Sequence, residues 1–128
     1  MTITRIGNPP VLPDGTVIPK VTATKVGNMV FCSGTLGVDA NLTLLEGAHA
    51  QTVQALRNIE AVLAQVGGTL SDVAKVTVWL TDPADFAEFN IAYASVFGSE
   101  FPARSTVLST LVIPGAHVEI EAIAVLPE

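Results

Sequence analysis

The 128-residue chain is short of cysteine, aromatic rings and charge. The lone Cys32 cannot close an internal disulfide, so a reduced, cytoplasmic setting is expected. Charged residues make up 14%, against about 25% in an average soluble domain. The six basic residues (Arg5, Lys20, Lys25, Arg57, Lys75, Arg104) are scattered, and the net charge is −6. A nucleic-acid surface needs clustered Lys and Arg to displace counterions, so none is expected. No apolar run reaches the ~18 residues of a membrane span, and no apolar signal core follows Met1. His49 and His117 show no metal-ligand spacing, and with Cys32 alone no metal site is expected. Phosphate-cradling glycine loops, dinucleotide fingerprints and a Gly-x-Ser-x-Gly elbow are all missing.

What remains is apolar. Residues of that class make up 49%, with aromatics only 5%, so Val, Ile, Leu and Ala must build the core. One domain spanning 1–128 fits the length. So much apolar material on so short a chain points to surface buried in a partner, most simply a second copy.

The expected elements follow from periodicity. Val21 to Lys25 and Met29 to Gly34 flank the turn Gly27-Asn28 as a hairpin. Asn8 to Pro19, rich in proline, reads as turns and a further hairpin. Leu45 to Val66 is a helix, with Val53, Leu56, Ile59, Leu63 and Val66 on one stripe and Gln51, Gln54, Asn58 and Gln65 mostly off it. Gly67-Gly68 stops it. Val73 to Thr81 alternates as a strand. Asp82 then caps a second helix, with Pro83 at its first position and Phe86, Phe89, Tyr93 and Phe97 at helical spacing. Ala103 to Thr110 and His117 to Leu126 are the last strands, joined through Pro114-Gly115. Two helices on one face of a mixed sheet is the simplest α+β architecture.

Chemistry concentrates in those last strands. Side chains alternate, so Val118, Ile120, Ala122 and Ala124 form a core face. His117, Glu119 and Glu121 share the other. Arg104 and Thr106 share a face of the preceding strand. If the two strands pair, one face presents a guanidinium, a hydroxyl, two carboxylates and an imidazole. A salt bridge between Arg104 and a glutamate on a solvated sheet face is the plainer outcome.

Phe-Pro-Ala-Arg-Ser-Thr at 101–106, followed by Val118-Glu119-Ile120-Glu121-Ala122-Ile123-Ala124, resembles the signature of the RidA family, also called YjgF, the reactive intermediate deaminases. The resemblance extends through Val26-Gly27-Asn28-Met29, Ser33-Gly34, Ser71-Asp72-Val73, Asp85-Phe86, Asn90 and Tyr93. It implies a chorismate-mutase-like α+β fold and a homotrimer with clefts at the subunit interfaces. It implies cofactor-free hydrolysis of 2-imino acids, or their enamine tautomers, to 2-keto acids and ammonia. The family arginine that grips the substrate carboxylate maps onto Arg104. The family glutamate that handles the attacking water maps onto Glu119. The Ser33-Gly34 turn maps onto the part of the cleft that helps to hold the carboxylate. Asn90 is a candidate buttress of the cleft. A family cysteine is Thr106 here, and a family cleft tyrosine is Lys20, in Ile18-Pro19-Lys20. The lysine exchanges a flat phenol for a cation and leaves the substrate open. A pathway-specific relative acting on another enamine, and a carboxylate-binding module without turnover, are the competing readings. Endoribonuclease activity is disfavoured by the acidic balance. The deaminase reading requires Arg104 and Glu119 to converge on one pocket shared between protomers. Opposite sides of the sheet would defeat it.

Overall fold

The computed structural model describes residues 2–128. Six strands form one mixed sheet: β1 (Ile3–Ile6), β2 (Ala23–Val26), β3 (Met29–Leu36), β4 (Val73–Leu80), β5 (Ala103–Leu108) and β6 (Val118–Val125). Two helices, α1 (Ala48–Ala64) and α2 (Phe86–Phe97), pack on one face. The spatial order is β1-β2-β3-β6-β4-β5.

The local expectations hold where periodicity carried them. β2 and β3 pair antiparallel across Gly27-Asn28. Leu56, Ile59 and Leu63 are buried along α1, and Gly67 takes φ 78°, a conformation that costs glycine no side-chain clash. Asp82 accepts a hydrogen bond from the Ala84 backbone N–H at 2.9 Å, and Pro83 opens a 3-10 turn that runs into α2. In the proline-rich segment Val11 faces Val17 as an antiparallel bridge.

Three expectations need correction. β1 was not foreseen; it is a four-residue edge strand with only Ile6 buried, too short to show alternation. Gln51 is not off the apolar stripe but buried at 1% exposure. Its amide donates to the carbonyls of Leu45 (2.8 Å) and Gly115 (3.0 Å), and its Oε1 accepts from the His117 N–H at 2.8 Å. These bonds satisfy the buried amide and tie α1 to the loop that leads into β6.

The third correction bears on function. β5 and β6 are not neighbours, because β4 lies between them. β5 runs parallel to β4, as a strand–helix–strand crossover usually does. In that register Arg104 sits beside Val76 and Thr106 beside Val78. Val76 and Val78 are fully buried and face the helices, so Arg104 and Thr106 face the helices too. Glu119 instead sits beside Trp79, on the open face of the sheet. Within one chain, therefore, the two groups lie on opposite sides, which overturns the expected common face and meets the condition set against the deaminase reading for any pocket built from a single chain.

Candidate functional site

The expected site residues divide into two clusters. On the open face β3 carries a bulge between Cys32 and Thr35 where it pairs with β6. This bulge brings Gly34 against the carboxylate of Glu119. A Cβ at position 34 would lie 3.1 Å from Glu119 Cδ and 3.3 Å from Oε2, so glycine is what allows the carboxylate to rest there. Ser33 fixes the bulge: its hydroxyl donates to the Val21 carbonyl at 2.7 Å, and its N–H donates to Thr22 O at 3.0 Å. Lys20, exposed, directly precedes Val21. Glu119 and the Ser33-Gly34 bulge thus form one cluster, to which Lys20 is linked only through its chain neighbour Val21.

The other cluster lies under α2. The Arg104 guanidinium carbon is 4.9 Å from the Tyr93 ring centre, 5.1 Å from Phe89 and 6.0 Å from Phe86. Among the described residues Arg104 has no acidic partner. Arg104, Asn90, Tyr93, Ala94, Phe101 and Pro102 line an open cavity of about 290 Å³. A cation held by aromatic faces, with its hydrogen-bonding edge unclaimed, is suited to an anionic ligand. Thr106 faces the same way, but its hydroxyl is enclosed and unpartnered. Burial pushes the Tyr93 phenol from 10.0 up to about 12, against the opposing pull of the Arg104 charge.

The remaining ionisable groups stand apart. His117 precedes β6 and its Nδ1 lies 3.4 Å from Asp85 Oδ2, so it does not join Glu119. His49 pairs with Glu88 at 3.0 Å. Glu121 is exposed opposite Thr77. Burial pushes the Cys32 thiol from 9.0 up to about 11, which leaves it an unreactive packing group. Among the described residues no cluster of three His, Cys, Asp or Glu could hold a metal ion, and no helix is long and apolar enough to cross a membrane.

Residues 16–126 match the family model described as Endoribonuclease L-PSP. The 3-aminoacrylate deaminase RutC of Acinetobacter baylyi is 40% identical, over 89% of this chain and 94% of its own length. RidA from the Antarctic bacterium Psychrobacter sp. shares the fold with a TM-score of 0.82 at 37% identity, covering 98% of this chain and 99% of that one. The chain belongs to the RidA/YjgF family. A further member, Escherichia coli TdcF, was solved with bound serine and superposes with a TM-score of 0.82 at 30% identity, over 96% of this chain and 94% of its own. The RidA/YjgF fold is thus a mixed α+β sheet with two helices, and named members include a 3-aminoacrylate deaminase and a Reactive Intermediate Deaminase A.

Against this RidA/YjgF background, sequence reasoning missed the surroundings of Arg104. The signal was present: Phe86, Phe89, Tyr93 and Phe97 recur at helical spacing, and a strand–helix–strand order favours parallel pairing of its two strands. Together these place the residues of β5 beneath an aromatic helix face.

Proposed function

We propose that this protein is a homotrimeric imine/enamine deaminase whose clefts form between protomers, Arg104 coming from one copy and Glu119 from the next. The observation that carries this is the Arg104 guanidinium, held in an open cavity with no acidic partner among the described residues; the opposite-side placement of Glu119 defeats the reading for a single chain. A single chain cannot bring them together, so only the between-protomer form of the reading survives. The open face offers a surface for assembly: Met29, Phe31, Val107 and Val125 are each 38% to 44% exposed there.

In the cleft Arg104 binds the substrate carboxylate through two parallel N–H···O bonds, which fixes orientation as well as affinity. Asn90 lies beside it. The Ser33-Gly34 backbone and Lys20 approach from the other protomer, and Thr106 shapes the wall behind Arg104. An enamine first takes a proton on carbon to become the imine. Glu119 then accepts a proton from water as its oxygen bonds to C2. Protonation of the amino nitrogen and loss of the hydroxyl proton collapse the adduct to a 2-keto acid and ammonia. The balance is one imine and one water in, one keto acid and one ammonia out. The iminium carbon is already electrophilic, so general acid–base help of about 10²–10⁴-fold is sufficient. No cofactor enters, and a cytoplasmic setting suits the lone thiol.

The test generates 2-iminopropanoate or 2-iminobutanoate from serine or threonine with a dehydratase and follows imine decay. Wild type should accelerate it; Arg104→Ala and Glu119→Gln should each lose about 10²-fold or more. No acceleration by wild type rejects the proposal. The serine bound to TdcF favours one second reading, a carboxylate-binding module. Saturable 2-ketobutyrate binding without turnover would establish it. The 40% identity to a 3-aminoacrylate deaminase makes that enamine the comparison substrate for a pathway-specific relative. The endoribonuclease in the family's description gains nothing from six scattered basic residues and a net charge of −6.

A further inference from the structure

Arg104 reaches out from β5, an edge strand, on a long flexible stem. Among the described residues nothing acidic anchors it. Such a side chain in water samples many rotamers, and a carboxylate would have to select one of them on binding. Two rings restrict it here. Tyr93 is 4% exposed and Phe89 is fully buried, and both lie within the range at which a cation is attracted to a ring face. Phe86, at 6.0 Å and 45% exposed, is the looser third ring.

Tyr93 is itself fixed by rings. Phe97 lies 4.7 Å away, Phe89 5.5 Å and Phe101 6.4 Å between centres. Its hydroxyl is enclosed and makes no hydrogen bond. An enclosed phenol oxygen without a partner contributes nothing to the fold that phenylalanine would not supply. The ring face is therefore the working part. It lies one helical turn after Asn90, and both residues line the cavity that Arg104 enters.

We propose that Tyr93, backed by Phe89, is the positioning residue that sets the plane of the Arg104 guanidinium and turns its free edge toward the carboxylate. This rests on the reading of Arg104 as the carboxylate ligand. It makes the aromatic face of α2 a support for Arg104, without contact to the substrate itself. It also accounts for an arginine with no acid beside it: an acidic partner would neutralise the charge that the ligand needs, whereas a ring restrains the group and leaves its charge available.

The experiment measures two quantities: the Kd of 2-ketobutyrate by calorimetry and the maximal rate of imine decay. Wild type, Tyr93→Phe, Tyr93→Leu and Arg104→Ala are compared. Tyr93→Leu should weaken binding by about 5- to 30-fold while the maximal rate stays within about twofold. Tyr93→Phe should match wild type in both. A purely structural role would reduce the folded fraction without changing the Kd of what remains folded. Wild-type Kd in folded Tyr93→Leu overturns the proposal. Unchanged binding in Arg104→Ala overturns the underlying carboxylate reading instead. Should Tyr93→Leu not fold, the ¹⁵N–¹H spectrum of the wild-type arginine Nε–H groups decides. Arg104 should show a ring-current upfield shift that Tyr93→Phe retains. An Arg104 signal at the solvent-exposed position overturns the proposal.

Discussion

Gly34 and Glu119 show how a single hydrogen atom can set the place of a carboxylate, here the one proposed to activate water. A methyl at 34 would meet the end of a flexible carboxylate side chain, not backbone, so the fold can accommodate it. Gly34→Ala should therefore leave the urea midpoint nearly unchanged while turnover falls about tenfold, because the displaced carboxylate no longer meets its water. Thermal unfolding alongside imine decay separates the two effects. Tyr93→Phe should unfold no more easily than wild type, and a gain of about 1 kcal/mol is expected from removing an enclosed, unpartnered hydroxyl. The raised pKa values of Cys32 and Tyr93 set the alkaline limit. The unfolded thiol and phenol ionise first, near 9.0 and 10.0, so the unfolded state binds fewer protons and stability falls with rising pH. The decline should run from about pH 9 to about pH 12, and denaturant titrations across that range will measure it.

Elements are held in register here by a few polar side chains. Gln51 joins α1 to both ends of the approach to β6, and Asn58, two turns along the same helix, donates to the Val38 carbonyl at 2.9 Å. Gln51→Leu would strand one buried N–H and two carbonyls. Its cost should be about 2–4 kcal/mol by urea unfolding, and Glu119, two residues past the tethered His117, should lose activity with it. Apolar spacing sets Gln51 off the stripe, since periodicity records polarity but not whether a polar group has found partners. The caps were legible because a cap is a local event: Asp82 meets a backbone N–H two residues away. The pairing of β5 was not, because Arg104, Thr106 and Leu108 are no more apolar than Ala103, Ser105 and Val107. Neither face of that strand declares itself.

On the scale of the whole molecule, a sheet with helices on one face leaves its other face to be covered. Phe31→Glu, placed on that open face, should shift sedimentation to the single chain and abolish imine decay. Mixing gives a sharper test. Arg104→Ala and Glu119→Gln are each expected to be inactive, yet unfolding and refolding them together in equal amounts should restore activity in about a quarter of the clefts. Either variant refolded alone should remain inactive. A mixture that stays silent while sedimenting as mixed oligomers would reject a cleft shared between copies.

Local sequence settled the apolar spacing of Leu56, Ile59 and Leu63, the Asp82 cap, the alternation of β4 and β6 and the motifs that mark the family, because each rests on residues close together along the chain. The order of strands, the side of the sheet that Arg104 takes and its aromatic surroundings were decided only by tertiary structure. Alternation assigns a strand two faces. Which of them meets the helices depends on the neighbour the strand pairs with, and for β5 that neighbour is β4, across α2 in sequence.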